Sequence, residues 1–353
     1  MTMTKEIVWP PADLLMQISN SASLDDFRAS FPEVRSVLGE YAGLAGKKLS
    51  DFDRILDFGC GPGRFLYAMQ PHLRKGQELH GCDVNEACAT WARDNIDFAK
   101  VIHSHIEPPL PYPDNHFDFI YACSVFTHLS LDLQFKWSFE LQRILKPGGI
   151  AILTTSSPTF MTRSFAAMHL FQHSSAHALN DGDMIAVLAT SGSEIEGQRE
   201  VATIHTLGAA RSVFAGFDMV KQVPMSLLAG GQTVNLLRKS RQVKPLSIEP
   251  VEGVYHAASG LSDVLSFDTP QRKGVLKFAL SWDAENYIGR FMKWTHNGGE
   301  TRFPINAALG KDHLAEFSIP ITEATTRLQI ATDHKNLLPQ DAGFKLRFVR
   351  VEI

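Results

Sequence analysis

Long apolar runs are missing from this chain. No stretch approaches the roughly 20 apolar residues that span a bilayer, so no membrane span is expected. The start, through Leu15, has no apolar segment long enough for a signal peptide. Blocks of like charge are missing too. Lys and Arg number 34 against 38 Asp and Glu, a net charge of −4. That balance offers no basic face to nucleic acid and no polybasic patch to a membrane. Cysteine is scarce: Cys60, Cys82, Cys88 and Cys123, none in a C-x-x-C pair. A disulfide framework and a cysteine-based zinc site are therefore not expected, and the thiols suit a reducing compartment, the cytoplasm. Internal repeats and low-complexity tracts are absent, which argues against a solenoid.

What is present fits a globular protein of two domains: 353 residues, 44% hydrophobic and 20% charged. Up to about Asp53 the chain reads as a helical lead-in. Pro10 and Pro11 open a helix with Leu14, Leu15 and Ile18 on one side, and a second helical pattern runs from Phe31 to Leu44. Then short apolar strands alternate with helices. Strands are predicted at 54–58, 78–83, 117–121 and 150–154, and helices after Gly63, over 86–95 and over 131–145. This alternation predicts an α/β domain with a mostly parallel sheet covered on both faces. After Ser156 the pattern loosens into helices and loops, then recovers as strands near 218–223 and 233–237.

The basic, proline-ended stretch from Arg238 to Pro245 reads as a linker. The expected domains are therefore 1–242 and 243–353. Beyond the linker the period becomes two: Leu276, Phe278, Leu280 and Trp282; Phe317, Ile319 and Ile321; Phe344, Leu346 and Phe348. Several such strands predict an all-β sandwich or jelly roll.

The chemistry gathers around Gly59-Cys60-Gly61-Pro62-Gly63, between a strand and a helix. Glycine lets backbone turn tightly and approach a nucleotide, and a helix start offers free N–H groups. Taken alone, the spacing also suits a plain tight turn, and it differs from the dinucleotide fingerprint. Asp83 ends the second strand, where an acid can accept both hydroxyls of a ribose; an acid there can equally serve the next helix start. Asp57 lies two residues before Gly59, where a carboxylate could hold an ammonium group directly or through water.

Ile55-Leu-Asp-Phe-Gly-Cys-Gly-Pro-Gly-Arg64 resembles the first motif of class I S-adenosylmethionine-dependent methyltransferases. Asp83, the segment Leu110-Pro-Tyr-Pro-Asp-Asn-His-Phe-Asp118 and Leu145-Lys-Pro-Gly-Gly149 are similar to three further motifs, in the same order. Glu107 to Tyr112 and Ser124 to Leu129 also resemble a bacterial subgroup associated with polysaccharide and glycoconjugate biosynthesis. The resemblance implies a Rossmann-like fold, S-adenosylmethionine as cofactor and a small-molecule or glycan acceptor. It implies that Gly59, Cys60, Gly61 and Gly63 line the methionine part, Asp83 holds the ribose and Val84 packs on the adenine. His105 and Ile106 fall at the adenine edge, where an acid or amide is commoner than His105, and Cys123 falls near the methyl end.

Methyl transfer needs alignment first and a base second. His128, after the strand that ends in Cys123, is the candidate base; a helix-capping or packing role beside Phe126 is the alternative. His116 reads as a solvated turn residue. His169, His173 and His177 recur every four residues, on one face of a helix. With no acid or cysteine beside them, no metal is expected, and a polar face over the acceptor pocket is the better reading. Trp282, Tyr287 and Trp294 could stack on sugar, but Trp282 shares the phase of a strand core. Three other functions stay open: a natural-product methyltransferase with a pocket of Phe160, Phe165, Met168 and Phe171, a cofactor-binding scaffold that presents the β-domain, and, disfavoured by the glycine spacing, an NAD-dependent oxidoreductase.

Overall fold

The structure, a computed structural model, describes residues 8–19, 22–129, 131–157, 183–188, 201–214, 216–224, 226 and 231–240. Beyond these it describes the backbone of eight strands between 252 and 352. The chain divides into two compact units: 1–160 with 186–203 and 214–240, and 161–185 with 204–213 and 241–353.

The first unit opens with α1 (Ala12–Ser19), α2 (Leu24–Ala29) and α3 (Phe31–Leu44). Pro11 precedes α1, Ser23 caps α2 by accepting the Asp26 N–H at 3.1 Å, and Pro32 stands in the first turn of α3. Aromatic side chains of this lead-in pack around Tyr67. Phe31 stacks on its ring at 6.1 Å, Trp9 lies 5.1 Å from it, and its hydroxyl donates to the Val8 carbonyl at 2.7 Å.

Strands β1 (Arg54–Phe58), β2 (Glu78–Asp83), β3 (Lys100–His103), β4 (Phe117–Ala122) and β5 (Leu145–Thr155) are parallel. Between them run α4 (Arg64–Met69), α5 (Glu86–Asn95) and α6 (Leu131–Ile144). Ile55, Leu56, Phe119, Ile120, Ile152 and Leu153 are wholly buried, as expected of strands covered on both faces. The stretch expected to be helices and loops contains β6 (Asp183–Leu188), β7 (Val201–His205) and α7 (Leu207–Val213). An unbroken apolar run such as Met184 to Leu188 carries no period that separates strand from helix. β8 (Asp218–Val223) and β9 (Thr233–Arg238) then return to the first sheet. Its order is β3-β2-β1-β4-β5-β9-β8, with β9 antiparallel to β5 and β8. From β1 the chain builds outward first through β2 and β3, then on the other side through β4 and β5. The reversal leaves a crevice beyond the carboxyl ends of β1 and β4.

Beyond residue 250 come β10 (Glu252–His256), β11 (Leu261–Asp268), β12 (Gly274–Asp283), β13 (Arg290–His296), β14 (Gly299–Ile305), β15 (Asp312–Ile321), β16 (Arg327–Thr332) and β17 (Lys345–Glu352). With β6 and β7 they form two five-stranded sheets, β10-β11-β16-β13-β14 and β17-β12-β15-β6-β7. Trp282 and Trp294 lie on β12 and β13; Tyr287 lies outside the described residues.

Candidate functional site

A cleft of about 480 Å³ opens at that crevice. Much of its wall comes from the ends of the parallel strands: Gly59 to Gly61 after β1, Asp83 to Asn85 at the end of β2, Ser104 to Ile106 after β3, and Cys123 to Val125 with His128 after β4.

Backbone hydrogen bonds hold the turn after β1. The Gly59 and Cys60 N–H groups both donate to the Cys82 carbonyl, at 2.8 and 3.0 Å. The Gly61 N–H donates to Asp83 Oδ2 at 2.6 Å, and the Asn85 N–H donates to Asp83 Oδ1 at 2.8 Å. One carboxylate thus ties the first turn to the segment after β2, and each oxygen keeps a lone pair for a ligand hydroxyl. Burial raises the pKa of Asp83, and the two amides oppose the rise. Gly59, Gly61 and Gly63 have φ of 81°, 51° and 97°, in the left-handed region that favours glycine. A side-chain carbon on Gly59 would run into Val125, and one on Gly63 into Ile96.

Asp57 lies beneath the turn, 1% exposed, and its Oδ2 has no hydrogen-bond partner among the described residues. Burial pushes its pKa well above the usual carboxylate range, Asp83 adds to the rise, and Arg64 opposes it. Burial likewise raises the Cys60 thiol, and the Cys123 thiol to about 11, so both are neutral near pH 7.

Of the residues singled out from the sequence, Gly59, Cys60, Gly61, Asp83, Val84, His105, Ile106, Cys123 and His128 line the cleft. Asp57 and Gly63 do not: Asp57 sits below the floor, and Gly63 caps α4 in a left-handed conformation against Ile96. His128 ends a short turn of 3-10 helix, Phe126–His128, with its N–H on the Val125 carbonyl at 2.9 Å. His116, read as solvated, is half-buried and stacks on Tyr112 at 5.5 Å; burial lowers its pKa. The three spaced histidines and the four pocket residues from Phe160 to Phe171 lie outside the described residues, and among the described residues no cluster suits a metal ion.

Sequence reasoning missed Arg64, Ser124 and Trp137, which also line the cleft. Arg64 stood at the end of the quoted motif, and its charge on an otherwise apolar helix was the available signal. Trp137 comes from α6; its indole N–H donates to the Ile106 carbonyl at 2.9 Å, and its ring lies 4.8 Å from Phe58. No local pattern announces that contact.

Residues 56–153 match the family described as "Methyltransferase domain". A probable methyltransferase, ltbC, of Aspergillus luteorubrus is 29% identical over 143 residues, covering 37% of this chain and 50% of that protein. The ubiquinone biosynthesis O-methyltransferase of Maricaulis maris is 28% identical over 137 residues, 38% of this chain and 51% of that protein. The chain thus spans about half the length of these curated relatives. Among solved structures, a SAM-dependent methyltransferase of Methanosarcina mazei is 19% identical, covering 54% of this chain and 94% of that one, with a TM-score of 0.41. The cofactor implied is S-adenosylmethionine. The site's chemistry fits it: a carboxylate with free lone pairs suits ribose hydroxyls, and an unpartnered carboxylate oxygen under a glycine turn suits an ammonium group.

Proposed function

We propose that this chain is an S-adenosylmethionine-dependent methyltransferase acting on an oxygen of a small, sugar-containing acceptor in the cytoplasm. The observation that carries the methyltransferase reading is the tie from Asp83 to Gly61, which sets an acid for ribose hydroxyls against the glycine turn in one cleft. When bound, the cofactor supplies an electrophilic methyl group on a sulfonium. Gly59 to Gly61 hold its methionine part, Asp83 its ribose, Val84 one face of the adenine, and His105 and Ile106 the adenine edge. Cys123 and Ser124 flank the methyl end. Aligning the acceptor there lowers the barrier by about 7–11 kcal/mol in favourable cases. An alcohol must also lose its proton, and His128 takes it.

Support for an oxygen acceptor comes from the relative named as an O-methyltransferase. Support for a sugar comes from the resemblance of residues 107–112 and 124–129 to the glycoconjugate subgroup. A second reading, a phenolic acceptor, draws on the ubiquinone pathway in that relative's name. We read the sheets beyond residue 250 as a β-sandwich.

Transfer of labelled methyl to two acceptor sets tests the reading: sugar nucleotides and glycans in one, phenols and amines in the other. Label in the first set is expected. Label only in the second replaces the sugar by the phenolic or amine reading. Cofactor bound in calorimetry with no transfer to either set would sink the enzyme and favour a scaffold. His128→Gln is expected to lower turnover about 100-fold with cofactor affinity unchanged; unchanged turnover would make His128 a packing residue.

A further inference from the structure

Three buried polar atoms around the glycine turn have no hydrogen-bond partner among the described residues: Asp57 Oδ2, Arg64 Nε and Tyr121 Oη. Two other acids of the first unit, Glu140 and Asp118, are matched. Glu140 meets Arg143 at 2.7 Å, and Asp118 meets Lys146 at 3.0 Å. Buried polar atoms in folded proteins are almost always paired, so three orphans around one turn point to a ligand that pairs them. Two of the orphans carry opposite charge, and Asp57 and Arg64 form no ion pair with each other among the described residues. Arg64 lines the cleft, while Asp57, 1% exposed, lies under the same turn. An acid and a base held close but unpaired complement a ligand with an ammonium and a carboxylate on one carbon. A guanidinium, with its planar fork of N–H donors, matches a carboxylate geometrically.

We propose that Arg64 is the carboxylate anchor of this site, taking the α-carboxylate of the cofactor's amino-acid end while Asp57 faces its ammonium. The assignment rests on the cofactor reading above and makes Arg64 a specificity residue: it selects cofactors that keep the amino-acid tail over nucleosides that lack it. The Tyr121 hydroxyl, 1% exposed on β4, lies on the Asp57 side, because β4 pairs with β1 and sets Tyr121 opposite Asp57.

Calorimetry on the full chain separates the two levels of the argument. The ligands are S-adenosylmethionine, its decarboxylated form and methylthioadenosine, which lacks the whole tail. The wild type is expected to bind the intact cofactor about 30-fold more tightly than the decarboxylated one, the usual worth of a charge-assisted hydrogen bond. Arg64→Met should lose about the same factor for the intact cofactor and nothing further for the decarboxylated one, while methylthioadenosine stays within about twofold. Arg64→Lys should recover part of the preference. Equal wild-type affinity for intact and decarboxylated cofactor overturns the anchor, and that arm needs no variant to fold. So does an Arg64→Met chain that weakens all three ligands alike. A wild type that binds none of the three overturns the cofactor reading itself.

Discussion

Replacing Gly63 by alanine separates the packing role of the third glycine from any role toward a ligand. Gly63 has φ of 97°, and a side-chain carbon there would overlap Ile96 Cδ1. Ile96 is 2% exposed, belongs to the apolar core and closes α5 through its N–H on the Ala92 carbonyl at 2.9 Å, so it has no free space to swing into. The backbone term is about 1–2 kcal/mol for a residue with a Cβ in the left-handed region. The overlap adds about 1–3 kcal/mol. Gly63→Ala is therefore expected to cost about 2–5 kcal/mol. Ile96→Val removes the offending atom alone and by itself costs about 0.5–1.5 kcal/mol. In the double variant the overlap disappears and the backbone strain stays, so the cycle should show a favourable coupling of about 1–3 kcal/mol. Hydrogen exchange of the β1 and α4 amides reads the opening free energy of this unit directly, without assuming that both units unfold together. Cofactor affinity should change little, because Gly63 does not line the cleft. A single variant within about 0.5 kcal/mol of wild type, or strict additivity with Ile96→Val, would refute the wedge.

Three further perturbations test the site and its supports. Burial raises the pKa of Asp57 when the chain folds, so its ionisation costs stability as pH rises above the ordinary carboxylate range. Asp57→Asn should therefore stabilise the unliganded chain near neutral pH, with a gain that fades on acidification, where the wild-type carboxyl is protonated folded or unfolded. Hydrogen exchange at about pH 4 and about pH 8 checks this, and a gain that grows in acid would contradict the burial argument. Asp83→Ala removes the acceptor of the Gly61 and Asn85 amides, at about 1–3 kcal/mol, and should abolish cofactor binding in calorimetry while the chain stays folded; normal binding would mean the site map is wrong. Glu140, 6% exposed, accepts from Arg143 at 2.7 and 2.8 Å and from the Leu110 N–H at 2.7 Å. Glu140→Ala leaves the Leu110 N–H without its acceptor while Arg143 keeps Asp114 at 2.7 Å, and should cost about 1–3 kcal/mol by denaturant titration, with a loss under about 0.5 kcal/mol ruling out the buried role.

The legible parts of this molecule were those written in consecutive residues. The apolar strand Ile55 to Phe58, the glycines after it and Asp83 at the end of the next strand each carry a local signal, and all but Gly63 of those glycines reach the cleft wall. What stayed hidden depends on distant pairs. Gly63 looked like a ligand glycine until Ile96 came into view across the fold. Trp137 reads as one more apolar position of α6, and only the return of Ile106 makes it part of the wall. Glu140 reads as a surface acid on the same helix; Leu110 and Arg143 bury it. β6 was lost because five apolar residues in a row satisfy either period.

The pairing of β6 with β15 fixes an order of events. Asp183 and Met184 lie opposite His313 and Asp312, residues that leave the ribosome far later. During synthesis the first strand of that pair waits with one edge bare, and a bare edge is open to pairing with another chain. The chain passes between its two units five times, after residues 160, 185, 203, 213 and 240. The segments of the two units thus alternate along the sequence: a nascent chain halted at Gln242 would already carry part of the second unit with nothing for it to complete. Recombination that swapped the tail at the linker would leave those inner segments facing a foreign strand, so the tail and the inner segments are expected to be inherited together.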